Sequence, residues 1–498
     1  MKRRQALQQI GVGVSAGLVL PAWLAACSDK DPQPEIQYDG VVGIIGAGAA
    51  GLHAADILRS KGVKVRIFEA SSVLGGRVRT LRQFDQPTAS LSFSTTDPPI
   101  SKYPFELGAA FIEGTDSELA RVVSQMKAPV IDFGPLGDDV YVLDGIPRTA
   151  TEAATDADVA AALEFYASLK AHAEAGTVQN AIAGAGINPR VHAILNGWIG
   201  NRRGTANGKL GMKGVAEAVT LLTRNTNRAM LRANPMQDVV LSRFSNVLGM
   251  VELHTAITGV RYDGARVVLT GQRTTAGAAE PFSAEVDRVI VTVPVSVLKA
   301  EMITFNPPLP EDKLTALSRM DMEAALRVRL EFRKNFWGTQ TNFIFGGTQA
   351  PEYFNAGIGR DDQLKTLDIT IHGPRAAALS ALGQDMVPVI LQELDDIFEG
   401  QATESIRRDP SGNILSVIMD WTKEEYIRGG VAYCTAEGSN QDRATLAVPV
   451  NDVLFFAGEA AETTGEAGTL NGALLSAQVA ALTLIETIVP TNQKIIDG

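Results

Sequence analysis

The chain has few of the residues that build disulfide frameworks or metal centres. Its 498 residues include only two cysteines, Cys27 and Cys434, and five histidines. Two cysteines cannot form a disulfide framework. The histidines are scattered without the spacing of metal ligands, so the sequence predicts no metal site.

An excess of basic residues is also missing. Lys and Arg number 45 against 56 Asp and Glu, which gives a formal net charge of −11. Nucleic-acid binding depends on clustered Lys and Arg, so this balance argues against a nucleic-acid partner. The remaining composition, 45% hydrophobic and 20% charged, is that of a folded globular protein, and the length favours two joined domains.

Beyond the N-terminus, no stretch has the length and apolarity of a membrane span. The chain starts with basic residues at positions 2–4, followed by an apolar stretch over residues 10–26. This layout predicts a signal peptide over residues 1–27, with an uncleaved membrane anchor as the alternative. Residues 24–27 (Leu-Ala-Ala-Cys) resemble a bacterial lipobox, which implies lipid on Cys27 and an exported, membrane-anchored lipoprotein. Residues 28–38, rich in Asp and Pro, are predicted to be a tether.

A strand, a glycine-rich turn, a helix and a second strand follow one another from residue 41. The apolar run 41–45 leads into Gly-Ala-Gly-Ala-Ala-Gly, and the second strand, 63–68, ends at Glu69. Gly46 permits the tight turn, Gly48 lets the backbone approach a pyrophosphate, and Gly51 lets helix and strand pack closely. A carboxylate such as Glu69 can accept hydrogen bonds from a ribose. The predicted dinucleotide contacts are Gly46, Gly48, Ala50, Gly51, Glu69 and Ala70.

The next residues separate FAD from NAD. Residues 75–77 (Gly-Gly-Arg) resemble an element of two-domain FAD enzymes, in which glycines permit a tight backbone and the arginine balances phosphate charge. An NAD-binding site would leave Arg77 without a role. We therefore predict FAD as the cofactor, with Gly76 and Arg77 among its contacts.

Four further stretches resemble the flavin amine oxidase family: residues 105–114, 287–298, 306–310, and 454–460 with 468–473. They occur in the order of the family. The resemblance implies an α/β fold of the two-domain, FAD-binding Rossmann-like (glutathione-reductase-like) type, with an interleaved substrate domain of mixed sheet plus helices. The FAD-binding domain is expected over 39–116, 206–295 and 440–490, and the substrate domain over 117–205 and 296–439.

The resemblance also implies the remaining cofactor contacts. Gly108 and Ala109 would lie along the flavin ring, Ile257 beside the adenine, and Gly458 and Glu459 near the pyrophosphate or ribityl chain. Thr469 and Leu470 would start a helix at the pyrimidine edge of the flavin. The positive end of that helix would stabilise the anionic reduced flavin.

The implied reaction is oxidation of a C–N bond in a small-molecule amine. Hydride passes from the carbon beside the amine to the flavin, water hydrolyses the imine, and oxygen or another acceptor reoxidises the flavin. Most members of the family carry a lysine where this chain has Arg327, which keeps the charge but cannot act as a neutral base. The alternative is a solvated residue of a half-buried strand over 326–332. The electron acceptor is therefore left open.

Two positions bear on the substrate. The aromatic clamp of monoamine oxidases is replaced by Val431 and Thr469, so a small aromatic amine is not expected, although Tyr433 could line the cavity. Glu113 matches an acidic position that faces the ammonium groups in some plant polyamine oxidases, which makes a polyamine possible; the alternative is a surface turn residue. Residues 105–114, which would lie along the flavin ring and are called the flavin-face segment below, contain no arginine that could hold the carboxylate of an amino acid.

The catalytic candidates are thus Arg327, Glu113, Tyr433 and Thr469. Cys434 is expected to be a buried thiol and the FAD non-covalent. Two other functions stay open: a two-domain flavoprotein that desaturates C–C bonds, and a non-catalytic flavin-binding protein.

Overall fold

The computed structural model describes residues 36–82, 85–93, 103–360 and 365–489. The predicted signal peptide, Cys27 and most of the predicted tether lie outside these residues. The last tether residues are packed against the domain: the Ile36 amide donates to the Lys61 carbonyl at 2.9 Å. Ile36 and Tyr38 also pack on the core beneath the first helix.

The strands, in chain order, are β1 (Val41–Ile45), β2 (Lys64–Phe68), β3 (Leu91–Phe93), β4 (Ile112–Glu113), β5 (Val130–Asp132), β6 (Asp138–Leu143), β7 (Ile146–Thr149), β8 (Arg228–Leu231), β9 (Val251–Glu252), β10 (Thr255–Arg261), β11 (Val267–Thr275), β12 (Ala278–Val286), β13 (Arg288–Val291), β14 (Thr304–Asn306), β15 (Met320–Met322), β16 (Ala325–Glu331), β17 (Thr341–Phe345), β18 (Glu352–Asn355), β19 (Thr366–His372), β20 (Ser416–Asp420), β21 (Ala432–Cys434) and β22 (Leu454–Phe456).

The α-helices are α1 (Ala49–Ser60), α2 (Glu118–Gln125), α3 (Ala150–Ala153), α4 (Ala157–Ala167), α5 (Val178–Gly184), α6 (His192–Leu195), α7 (Met212–Leu221), α8 (Met236–Arg243), α9 (Ser245–Leu248), α10 (Val295–Lys299), α11 (Glu311–Ser318), α12 (Gly373–Ala381), α13 (Met386–Ile397), α14 (Gln401–Ser405), α15 (Asn440–Ala447) and α16 (Leu470–Ile488).

A five-stranded parallel sheet forms the nucleotide-binding half, in the order β22-β13-β1-β2-β9. The central strand β1 is apolar throughout and almost wholly buried, as a parallel strand covered on both faces must be. Its last residue, Ile45, is in register with Phe68 of β2 and Val291 of β13. The predicted Rossmann-like fold class is confirmed, and strands from three separated stretches of sequence build the sheet.

Helices α1 and α16 pack against each other beside this sheet. Their shared core contains fully buried leucines, among them Leu52 and Leu58 of α1 and Leu474 and Leu484 of α16. The prediction that no stretch beyond the N-terminus has the length and apolarity of a membrane span was wrong for α16. Within the described residues, α16 is the one helix that meets both criteria, and half of its apolar window is buried. That burial against α1 is typical of a core helix.

A mixed eight-stranded sheet forms the second half, in the order β3-β20-β16-β19-β18-β17-β6-β7. The pairs are antiparallel except β6 with β17. Edge strand β3 belongs to this sheet although it lies within the first segment predicted for the FAD-binding domain. The domain boundaries themselves stay a prediction.

Strand β16 differs from the expected half-buried strand, because all seven of its residues are buried. Two of its three charged residues are neutralised by ion pairs with neighbouring strands and loops. Arg329 pairs with Asp368 of β19 at 2.6 Å, and Glu331 pairs with Arg407 at 3.0 Å. Alternation of apolar and charged residues predicted the strand correctly but not the burial of its charged face.

Three smaller sheets connect the halves: β12-β11-β10-β14, β4-β8-β5 and the pair β15-β21. Residues 251–261 form two strands in different sheets, β9 and β10. They are separated at His254, whose φ of 53° is left-handed. This break turns the chain out of the parallel sheet, so that Ile257 lies on β10.

Candidate active site

A cavity of about 590 Å³ lies between the two halves, at the carboxyl ends of β1, β2, β13 and β22. Ligands of open α/β sheets bind at this edge. Most of the predicted site residues line the cavity: Gly46, Gly48, Ala50, Glu69, Ala70, Gly76, Arg77, Gly108, Ala109, Glu113, Ile257, Arg327, Gly458, Glu459, Thr469 and Leu470. Gly51 and Tyr433 are not among its lining residues.

The turn between β1 and α1 has the geometry that its glycines predict. Gly46 has a φ of 106°, which only glycine adopts readily. A Cβ on Gly51 would collide with the Gly46 carbonyl oxygen, so Gly51 serves the close packing of helix and turn. A Cβ on Gly48 would meet nothing within 4 Å. Gly48 therefore borders open space at the start of α1, where a pyrophosphate can approach the helix amides.

Glu69 lies at the end of β2 and is largely engaged with its own chain. Its Oε2 accepts from the Ala47 amide at 2.8 Å, and its Oε1 accepts from the amide and hydroxyl of Ser71 at 2.9 and 2.8 Å. These bonds fix the carboxylate at the cavity wall. A carboxylate oxygen has two lone pairs, so Oε2, which accepts one bond, keeps the second for a ribose hydroxyl.

Arg77 and Glu459 form an ion pair inside the cavity. Arg77 Nη1 donates to Glu459 Oε1 and to the Gly430 carbonyl, both at 2.7 Å. The other carboxylate oxygen of Glu459, Oε2, is buried and has no partner among the described residues. A buried acceptor without a donor is unusual, and a ribityl hydroxyl of FAD would supply the missing donor.

The backbone of the flavin-face segment is held close to Arg77. The Ala109 amide donates to the Arg77 carbonyl at 3.1 Å, and a Cβ on Gly108 would collide with that same oxygen. Trp421 Nε1 donates to the Leu107 carbonyl at 2.7 Å. These contacts hold Gly108 and Ala109 in the cavity wall.

Helix α16 begins at the cavity. Thr469 is its N-cap, and its hydroxyl accepts from the Gly472 amide at 2.9 Å. Thr469 and Leu470 line the cavity, so the positive end of a 19-residue helix is directed towards it. This is the electrostatic environment that an anionic reduced flavin requires.

Arg327 is held rigidly rather than solvated. Its guanidinium donates to the Glu106 carbonyl, from Nε at 3.3 Å and Nη2 at 3.2 Å, and to the Thr370 hydroxyl. The residue is 6% exposed. The alternative of a solvated strand residue is therefore wrong, because β19 and the flavin-face segment enclose the side chain.

The side chain of Glu106, whose carbonyl binds Arg327, has a raised pKa. Burial raises its pKa to about 7, although the Thr80 hydroxyl and the Met236 amide donate to it at 2.5 and 2.9 Å. Arg327 opposes the rise without cancelling it. This carboxyl therefore titrates near neutral pH.

Glu113 lines the cavity but is not a lone carboxylate. Arg228 on β8 donates to Glu113 Oε1 from Nη2 at 2.9 Å and from Nε at 3.2 Å. The pKa of Glu113 is lowered: burial alone would raise it, but Arg228 and, more weakly, Arg202 and Arg224 outweigh burial. The surface-turn alternative is also wrong, since the side chain faces the cavity.

Several residues that line the cavity were not predicted from the sequence motifs: Asn201, Arg202, Arg228, Glu352, Thr370 and His372. They come from the second half of the protein, where family motifs are sparse. Burial lowers the pKa of His372 to about 4, so this ring is neutral, and its Nδ1 has no partner among the described residues. The sequence signal that could have identified them is the presence of polar residues within apolar strand patterns such as those of β18 and β19.

Tyr433 was expected to line the cavity, and the structure places it elsewhere. It is 2% exposed on β21, and it packs in the apolar cluster that contains Trp198 and Phe343. Val431, which precedes β21, lines the cavity, whereas the Tyr433 side chain packs into this cluster. Cys434 is a buried free thiol, as expected.

The fold and the cavity together define a two-domain dinucleotide-binding protein. The open space at Gly48, the unpartnered Glu459 oxygen and the helix start at Thr469 all fit FAD. The chain matches the family described as flavin containing amine oxidoreductase over residues 240–485, just under half of its length. Residues 44–126 match an NAD(P)-binding Rossmann-like domain.

Curated relatives are similar over most of the chain. Lysine-specific histone demethylase 1 homolog 3 of Arabidopsis thaliana is 24% identical, covering 89% of this chain and 30% of the relative. Lysine-specific histone demethylase 2 of Homo sapiens is also 24% identical, covering 89% of this chain and 53% of the relative. The chain thus spans about half, or less, of these relatives.

Solved structures show the same fold. Cyclohexylamine oxidase from Brevibacterium oxydans superposes with a TM-score of 0.72 at 22% identity, covering 91% of this chain and all of the other. Putrescine oxidase bound to putrescine gives 0.72 at 19% identity, covering 90% and 99%. Over residues 240–485 the chain is thus similar to the flavin containing amine oxidoreductase family, and over most of its length it shares the fold of these oxidases. These matches and the fit of the site residues confirm FAD, the cofactor predicted from the sequence.

Proposed function

We propose that the protein oxidises a C–N bond of an amine. The supporting observation is that one continuous cavity runs from the β1–α1 turn to Arg327, Thr370 and His372. Residues of both halves form its wall. FAD bound there would accept hydride from the carbon beside the amine. The amine must be neutral for this chemistry.

The side chains at the end of the cavity formed by Arg327, Thr370 and His372 can each act on the substrate in a specific way. Arg327 holds a fixed positive charge, which its contacts with Glu106 and Thr370 orient, and this charge disfavours a protonated amine nearby. His372 is neutral, and its Nδ1 can accept a hydrogen bond from a substrate N–H. The wall of apolar and aromatic side chains, Phe111 and Leu326 among them, limits access of water.

A polyamine is the finer form of this proposal, and Glu113 is its basis. The ion pair with Arg228 weakens that basis, because the carboxylate charge is already compensated. Selection of a dicationic substrate would require Glu113 to exchange Arg228 for an ammonium group. We therefore keep an amine in general as the proposed substrate.

An anaerobic visible spectrum of the FAD-loaded protein tests the proposal. We expect the oxidised flavin bands to bleach when one of several pools of amines, polyamines or amino acids is added. A flavin that no pool bleaches would favour C–C desaturation or a non-catalytic flavin-binding role. Reoxidation in air, compared with a soluble dye under nitrogen, then identifies oxygen or another acceptor.

We also propose that the mature protein is an exported lipoprotein held on a membrane by Cys27. This proposal is supported by the sequence layout of residues 1–27 alone, which lie outside the described residues.

A further inference from the structure

Two arginines from outside the cofactor motifs line the part of the cavity built by the second half of the protein, which is called the substrate end below. Arg228 lies on β8, and Arg202 lies in the short helical turn after Gly200. Both guanidinium groups stack near one ring: the Cζ of Arg202 is 5.2 Å and that of Arg228 is 5.9 Å from the centroid of Phe343. The two side chains therefore act on the same part of the cavity.

Both arginines retain unused donors. Arg228 uses Nε and Nη2 on Glu113, and its buried Nη1 has no partner. Arg202 donates from Nε to Glu352 Oε2 at 2.8 Å. Among the described residues, Nη1 and Nη2 of Arg202 have no hydrogen-bond partner. A guanidinium with free N–H groups in a partly dry cavity is suited to binding an oxyanion.

The charge balance at this end is positive. Glu113 and Glu352 compensate Arg228 and Arg202 one for one. Arg327 has no carboxylate within 4 Å among the described residues, so its charge is left over. A cavity with excess positive charge and unused N–H donors attracts an anion more than a second ammonium group.

We infer that Arg202 and Arg228 form an oxyanion-binding site, and that the amine substrate carries a carboxylate which this site holds. The inference rests on the proposed amine oxidation and specifies its substrate class. The carboxylate would anchor one end of the molecule between the guanidinium groups beside Phe343. The neutral amine would then lie towards Arg327 and His372, where the cofactor-binding wall begins.

Binding of simple ions to the oxidised, FAD-loaded protein tests the site without any turnover. The probes are straight-chain monocarboxylates and alkylammonium ions of equal length, with the shift of the flavin absorption bands as the readout. We expect the carboxylates to bind at least about tenfold more tightly than the ammonium ions. Equal or reversed preference would overturn the inference.

Variants then locate the site. Because R228Q alone leaves Glu113 buried without its partner, the double variant Arg228→Gln with Glu113→Gln removes the ion pair as a unit. We expect this variant to bind carboxylates about tenfold or more weakly, with alkylammonium binding unchanged. The control is Arg261→Gln, an exposed, ion-paired arginine on β10. Carboxylate binding that is unaffected by the double variant and by Arg202→Gln would also refute the inference.

Substrate series separate this inference from the proposed function. Amino acids with the carboxylate at increasing distance from the amine are compared with diamines and monoamines of the same length, as anaerobic reductants of the flavin. If the carboxylate-bearing amines reduce the flavin at lower concentrations than the other amines, both the inference and the proposed amine oxidation are supported. Reduction by diamines or monoamines at lower concentrations overturns the inference and supports amine oxidation. No reduction by any amine overturns amine oxidation, and the ion-binding experiment still decides the site.

Discussion

Glu113 illustrates how a neighbouring strand changes the role of a side chain. In the sequence it is an isolated carboxylate before a glycine, and the family resemblance gives it to a cationic substrate. Strand β8, about 115 residues further along, brings Arg228 to 2.9 Å and compensates the charge. No local pattern contains this pairing, because it depends on the register of β4 with β8.

The variant Glu113→Gln tests which partner the carboxylate serves. We expect binding of diamines, followed by the flavin absorption shift, to stay within about twofold of wild type, because Arg228 rather than substrate uses the charge. Carboxylate probes should bind no more weakly, since Arg228 gains a free donor. Glu285→Gln, an exposed carboxylate paired with Arg266, is the matched control. A tenfold loss of diamine binding would return Glu113 to a polyamine site.

Glu106 predicts a pH dependence of stability. Its pKa is raised by burial from the ordinary 4.5 to about 7, so the folded state holds a proton that the unfolded state releases. This contribution is fully present below pH 4.5 and is lost as the pH rises through about 7. Urea unfolding of wild type and Glu106→Gln between pH 5 and 8 should show wild type losing on the order of 1–3 kcal/mol relative to the variant. Parallel pH curves would contradict the shift.

At the scale of elements, local sequence patterns predicted the cofactor half well. Strand β1 and the turn into α1 have the expected bounds, since the apolar run, the glycines and the helix start are all local signals. Strand β16 was found from its alternation, but its burial was not. Ion pairs such as Arg329–Asp368 span some 39 residues of sequence, and only the assembled sheet shows that they replace water.

Two glycines of the β1–α1 turn are expected to respond differently to the same substitution. Gly48→Ala adds a methyl group in open space at an ordinary backbone conformation, so the protein should fold but bind FAD about tenfold or more weakly. Gly51→Ala forces a collision with the Gly46 carbonyl, so the fold itself should be destabilised by several kcal/mol. Flavin fluorescence measures the first effect and urea unfolding the second. If Gly48→Ala and Gly51→Ala changed FAD binding and the free energy of unfolding to the same extent, Gly48 would not border the pyrophosphate.

For the whole molecule, the interleaved chain explains why the cofactor could be predicted and the substrate could not. The cofactor motifs form one edge of one parallel sheet, and each carries its own glycine or acid signal. The substrate end combines β8, β18, β19 and the turn at Arg202, which meet only after both sheets have formed. Their arginines, acids and histidine are scattered through the sequence, without a spacing that marks a site.

The proposed lipid anchor is also a property of the whole molecule, and the two cysteines offer a matched test. Cys27→Ser removes the thiol that would carry the lipid, so the protein should leave the membrane fraction of the expressing cells while keeping its bound FAD. Cys434→Ser changes a thiol buried on β21 that donates only to the Ser439 carbonyl, at 3.4 Å, so membrane retention should be unchanged. Fractionation and the mass of the N-terminal peptide measure both variants. A wild-type N-terminal peptide that still carries residues 1–26 and no lipid would instead establish an uncleaved anchor, because an apolar stretch holds a membrane without any thiol.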